Sequence, residues 1–158
     1  MIQRIQTVYL TVAIAALIAI YFFPLASFFS DFSYYKFYIY KLTSAGPESV
    51  SAIRPGIVMP LGIFNGLIAV VALIAIFLYK NRKMQLRIVK LGILMNVILV
   101  GLIFFVYAPL IGKSASAVAD YSKDAGIYFT LISLVMLILA NRGINRDEKL
   151  IRSADRLR

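Results

Sequence analysis

Four apolar runs, separated by short polar segments, set the pattern of this chain. They cover about residues 5–24, 57–79, 88–108 and 122–140, and none has a charged residue at its centre. Each is near the ~20 residues that carry a helix across ~30 Å of hydrocarbon. The pattern predicts an all-α membrane protein: a four-transmembrane-helix bundle occupying residues 1–140, followed by a tail over 141–158. The first run follows Arg4 as a signal peptide would, but its apolar core exceeds the ~7–15 residues of a signal h-region, so it reads as a retained span.

Polar and small residues inside the runs predict which faces meet other helices. In the first span Thr11, Ala15 and Ala19 recur every fourth position, a stripe that would let a neighbour approach closely. In the second, Gly62 and Gly66 form a GxxxG pair around Asn65; the third carries Gly92 and Asn96. An amide in hydrocarbon needs a hydrogen-bond partner, so both asparagines are expected to face the bundle, bonding a backbone carbonyl, water, or a hydroxyl such as Thr130 or Ser133. Pro109 is expected to close the third span, with 112–123 an outer loop. The hydrophilic segment from Lys80 to Arg87 is short, which makes spans two and three antiparallel neighbours.

The least generic stretch lies between spans one and two, over 27–56. Aromatic and β-branched residues dominate it, Ser30–Ser33 has turn composition, and neither Gly nor Pro intervenes before Gly46. This predicts a β-hairpin or small antiparallel sheet, with Lys36 and Lys41 guarding an exposed edge. Its Tyr34, Tyr35, Phe37, Tyr38 and Tyr40 read either as an interfacial belt capping the bundle or as an aromatic surface for a partner.

The fourth run is short. Asp120, Lys123 and Asp124 bring the membrane surface close to Ala125, and a helix from there to Ala140 would be only about 24 Å long, so flanking helical turns or local thinning are expected. In the tail, Leu150, Ile151, Ala154 and Leu157 share one helical face among charged residues. That is the pattern of an amphipathic helix lying on the inner leaflet or docked on a partner.

Charge orients the chain. Threading four spans puts twelve of the seventeen Lys and Arg residues on one side and five on the other, so both termini are expected in the cytoplasm. The net charge of +10 is then a matter of topology and anionic lipid, with no DNA implied; contact of the basic inner face with ribosomal RNA is a weaker expectation. Cysteine and histidine are both absent, which excludes disulfides, thiol chemistry and lipoprotein acylation and removes the commonest haem and zinc ligand. No metalloprotease, phosphate-loop or serine-hydrolase motif is present, and all seven acids lie outside the apolar cores, where a proton-coupled exporter would need one. Asp120 and Asp124, if helical, would share one turn as a weak cation site or a solvated face. No enzyme activity, metal or cofactor is expected.

The opening MIQRIQTVYL and closing ANRGINRDEKLIRSADRLR resemble the two ends of an uncharacterised family of four-span inner-membrane proteins from Bacteroidota, a domain of unknown function. The resemblance implies a bacterial cytoplasmic membrane, four helices and an outer strand-rich loop, and supplies no activity or functional residue. The expected role is a non-catalytic accessory or scaffold subunit of a larger inner-membrane complex, in protein insertion, export or envelope biogenesis. Its partners would be membrane lipids and other integral membrane proteins. The alternatives are a small oligomeric transporter or channel, with Asn65 and Asn96 lining a polar path, and a lipid-binding membrane protein.

Overall fold

The computed structural model describes residues 3–30, 33–45, 55–114 and 120–156. The chain is mostly helical, with a small sheet at one end. Helix α1 spans Gln3–Ala19. Free of Gly and Pro, it tightens into i→i−3 bonds at Tyr21 and Phe22 before Pro24 ends it. Helix α2, Met59–Phe77, follows a 3₁₀ turn at Pro55–Val58 and carries Pro60 in its first turn, where a missing N–H costs little. Helix α3, Arg82–Gly101, is capped by the Asn81 side chain, which accepts from Met84 N at 3.3 Å.

Helical structure does not stop at Pro109. A π turn over Leu102–Tyr107 leads directly into α4, Ala108–Ser114. The correction has a physical cause. A proline inside an α-helix lacks an N–H and its ring clashes with the carbonyl four residues back. Here the preceding turn is widened, with Ala108 N–H bonding Ile103 O five residues back, so the chain accommodates Pro109 without ending. The expected outer loop is accordingly helical as far as Ser114.

The last helix, α5, runs unbroken over Ala125–Arg156. Thr130, Ser133, Leu137, Ala140, Ile144 and Asp147 are all buried, and their alternating spacing of three and four makes one continuous stripe. The apolar run and the first part of the charged tail are therefore one helix of about 48 Å, which resolves the apparent shortness of the fourth run.

Helices α1, α2, α3 and α5 form a closed ring in which each packs against two neighbours: α1 on α2, α2 on α3, α3 on α5, and α5 on α1. Leu10, Ala13 and Leu17 of α1, with Ile20 just after it, meet Leu61, Ile68, Ala72 and Ala75 of α2, Val89 and Leu99 of α3, and Leu137, Ala140 and Ile144 of α5 in a common core. Outside the ring, large apolar residues such as Ile63, Leu67, Leu94, Phe105 and Val135 are exposed. A soluble protein rarely displays so extensive an apolar surface. Three segments, Gly56–Lys80, Arg82–Lys113 and Ala125–Leu150, are long and apolar enough to cross a membrane; the apolar part of α1, Ile5–Ala19, is shorter.

The sheet contains β1 (Ala26–Ser30), β2 (Ser33–Phe37), β3 (Leu42–Ala45) and β4 (Asp120–Lys123) in the order β3-β2-β1-β4, all antiparallel. Ser30 opposes Ser33; the central residues of the turn expected between them, 31 and 32, lie outside the described residues. Side chains alternate across the pleat: Phe28, Tyr35 and Phe37 are buried toward the helices. The rings of Phe37 and Tyr107 stack at 6.4 Å, so the extended end of the α3–α4 segment supports the sheet from below.

Candidate helix-docking groove and polar interior

Each interface of the ring carries a buried side-chain hydrogen bond. Between α1 and α2, Asn65 Nδ2 donates to Leu17 O at 2.9 Å. Between α2 and α3, Gln85 Nε2 donates to Ala75 O at 2.9 Å. Between α3 and α5, Asn96 Nδ2 donates to Ser133 Oγ at 2.8 Å, and that hydroxyl donates to Thr130 O at 2.7 Å. Between α5 and α1, Gln6 Nε2 donates to the Asp147 carboxylate, both residues being buried. The side-chain Oδ1 atoms of Asn65, Asn96 and Asn141, and Oδ1 of the Asp147 carboxylate, are buried without a partner. Such atoms are tolerable only where the donated bond fixes a contact the bundle needs.

These ties place the predicted contact residues. Asn65 and Asn96 face the interior and bond the partner types expected of them. Gly62, Gly66 and Gly92 also lie at contacts, though not at one shared helix crossing. A Cβ on Gly62 would stand 3.1 Å from Tyr40 Cβ and 3.3 Å from Ile39 O, so this glycine admits the segment that joins β2 to β3. Gly66 faces the hydroxyl of Tyr21, whose proton goes to Gly62 O at 2.6 Å, and Gly92 faces Val71.

The Thr11, Ala15 and Ala19 stripe requires correction. Thr11 and Ala15 are exposed and Ala19 is half-buried, while the packed face of α1 is Gln6, Leu10, Ala13 and Leu17, continued by Ile20 just beyond the helix. At about 100° per residue the three small residues do share one face, but it lies about 180° around the helix from the packed stripe, so the spacing marked a coherent surface and not the side that meets the bundle. Thr11 Oγ1 donates to Thr7 O at 2.8 Å, which spends its hydroxyl within the helix and leaves a small, low-polarity surface outward.

Beside that surface, α1, the end of α2 and the start of α3 enclose a groove of about 640 Å³. Gln6, Tyr79, Arg82 and Gln85 form its polar end, and Val8, Val12, Ile76 and Phe77 its apolar walls. Thr11 belongs both to the groove and to the outward stripe.

The aromatic cluster divides. Tyr35 is 8% exposed and Phe37 fully buried, so these two belong to the core and are withdrawn from any partner surface. Tyr34 and Tyr38 are half-buried and Tyr40 is exposed, with the Lys36 ammonium 5.4 Å from the Tyr34 ring and that of Lys41 5.3 Å from both Tyr38 and Tyr40. In the tail Leu150 is exposed; the side chains of Ile151 and Ala154, and all of Leu157, lie outside the described residues. Asp120 is in a strand and Asp124 follows it, so they do not share a helical turn; the Asp124 carboxylate accepts instead from Ser27 Oγ.

Sequence reasoning missed Gln6, Gln85 and Asp147, which flank charged segments where polar residues are unremarkable. Periodicity held the signal: Gln6 precedes Leu10 by four, Gln85 precedes Val89 by four, and Asp147 follows Ile144 by three. No curated protein matches the chain. From residue 2 to residue 157 the sequence matches the family described as domain of unknown function DUF4293, and the protein belongs to that family.

Proposed function

We propose that the protein is a non-catalytic accessory or scaffold subunit of a larger bacterial inner-membrane complex, which it joins by receiving a transmembrane helix of another integral membrane protein along α1. The supporting observation is the groove of about 640 Å³ between α1 and α2, continuous with the outward face of Thr11 and Ala15. In lipid there is no hydrophobic drive to bring helices together, so association depends on close van der Waals packing and hydrogen bonds. A concave wall of Val8, Val12, Ile76 and Phe77 beside a small-residue surface offers the first, and the groove's Tyr79 and Arg82 offer the second.

The accompanying topology is four crossings with both termini in the cytoplasm. It rests on the twelve-to-five partition of basic residues and on four helices packed in one ring, with α1 as the short crossing. A Bacteroidota membrane, and a host complex in protein insertion, export or envelope biogenesis, complete the reading. In the oligomeric-transporter alternative Asn65 and Asn96 would line one polar path; each donates one hydrogen bond, to Leu17 O and to Ser133 Oγ, at different interfaces of the ring.

The absence of native cysteine makes the test direct. Val12→Cys in the groove, and Val135→Cys on the exposed face of α5, are labelled with a short photoactivatable thiol reagent in native membranes. Docking at α1 predicts one discrete protein adduct from Val12→Cys, copurifying in fixed stoichiometry from mild detergent, and none from Val135→Cys. Lipid adducts alone at both positions refute it.

A further inference from the structure

On the opposite side of the ring, α3 and α5 enclose a second groove of about 400 Å³, and its walls are cationic. Lys83, Arg87 and Lys90 contribute from α3 and Lys149 from α5, over the buried side chain of Leu86; Glu148 is the sole acid among the lining residues. We propose that this groove binds the phosphate of an anionic phospholipid headgroup from the leaflet at that end of the bundle.

Three observations converge on this ligand. Lys83, Arg87 and Lys90 are spaced four and three apart, so they stand on one face, where like charges repel one another. Lys83 lies in the first turn of α3, where the helix N-terminus already carries partial positive charge and no acid offsets it. A bound phosphate would relieve both penalties. The stripe then continues, again by four and three, into Leu94 and Val97, which are 57% and 50% exposed. One helical face thus passes from three cations to an open apolar track, in the order of a phospholipid's headgroup and acyl chain. A small soluble phosphate would use the cations and leave the track without a purpose. The site is independent of docking at α1, because it shares no lining residue with that groove.

The test uses the full chain, delipidated in detergent and titrated with phosphatidylglycerol, phosphatidylcholine or inorganic phosphate. Bound lipid is counted by native mass spectrometry. Arg87→Gln/Lys90→Gln/Lys149→Gln removes three charges from the groove; Lys80→Gln/Arg142→Gln/Arg146→Gln removes three from elsewhere at the same end. Each basic group near an anionic lipid surface contributes enough that losing three should weaken phosphatidylglycerol retention by at least about tenfold in the groove variant. The matched control should retain it nearly as wild type does, and phosphatidylcholine should not be held. Equal loss in both variants would reduce the effect to diffuse surface attraction and overturn the proposal. Full displacement of phosphatidylglycerol by inorganic phosphate would do the same for the lipid assignment, by showing that the acyl track contributes nothing.

Discussion

Replacing Gly126 with alanine should separate the N-terminal end of α5 from the chain leaving α1. A Cβ at this position would lie 2.6 Å from Pro24 O and 2.9 Å from both Phe23 O and Pro24 C. All three are backbone atoms, so no rotamer change relieves the overlap; the α5 terminus or the Phe23–Pro24 segment must shift. That shift also strains the bond from Gly126 N–H to Pro24 O, now 2.9 Å, and the neighbouring bond from Asp124 N–H to Leu25 O, which together join α5 to the entrance of β1. Overpacking typically costs about 1–3 kcal/mol, and a weakened buried backbone bond about 1 kcal/mol more. The expected loss is therefore about 2–4 kcal/mol. At about 2–4 °C per kcal/mol for a chain of this size, Tm should fall by roughly 4–16 °C. Gly101→Ala is the matched control: its Cβ would meet nothing within 4 Å, so the variant should gain up to about 1 kcal/mol from helix propensity. Thermal unfolding in one detergent, followed by circular dichroism, compares the two. A Gly126→Ala protein that melts with wild type while Gly101→Ala falls would refute the reasoning, since it would mean that these backbones do not meet.

Two further perturbations address the interior and the sheet. Gln6→Ala and Asp147→Ala should each lower stability by about 1–3 kcal/mol, because each leaves the other buried polar group unpaired; the double variant should lose clearly less than the sum, and additive melting shifts would show that the two do not interact. Phe37→Ala, which empties a fully buried site against Tyr107, should cost about 3–5 kcal/mol, whereas Tyr40→Ala, at a residue 40% exposed, should cost under about 1.5 kcal/mol in the same melting assay. Equal losses would contradict the alternation that turns Phe37 inward.

Helices were legible wherever local pattern decides the outcome. Apolar runs located all four ring helices, the short basic segment made α2 and α3 neighbours, and aromatic content announced the β1–β2 hairpin, while β3, Leu-Thr-Ser-Ala, carries no aromatic residue. Where a distant partner decides, the sequence was silent. Strand β4, Asp-Tyr-Ser-Lys, has no alternating apolar pattern and exists because β1, over ninety residues earlier, offers it an edge. Pro109 misled for a related reason: its usual effect is to end a helix, but one widened turn sufficed to carry the chain on and place Tyr107 beneath Phe37.

The polar interior shows why part of the site was readable and part was not. In hydrocarbon, apolar faces do not by themselves distinguish a neighbouring helix from lipid, so the buried hydrogen bond at each interface helps fix which faces meet and at what height. Asn65 and Asn96 were conspicuous because they interrupt apolar runs. Gln6, Gln85 and Asp147 do the same work at the basic end of the ring, where a polar residue next to arginines and lysines reads as solvated. The distinguishing information lay in phase: all three fall on the three-and-four spacing of their helix's buried stripe, while the neighbouring Arg87, Lys90, Arg146 and Lys149 fall off it and are exposed. At the ends of membrane helices, then, the angular position of a polar residue relative to the packed stripe is more informative than its distance from the apolar run. By that criterion Asp147 belongs to the bundle, and the basic residues beside it, Arg146 and Lys149, belong to its exposed surface.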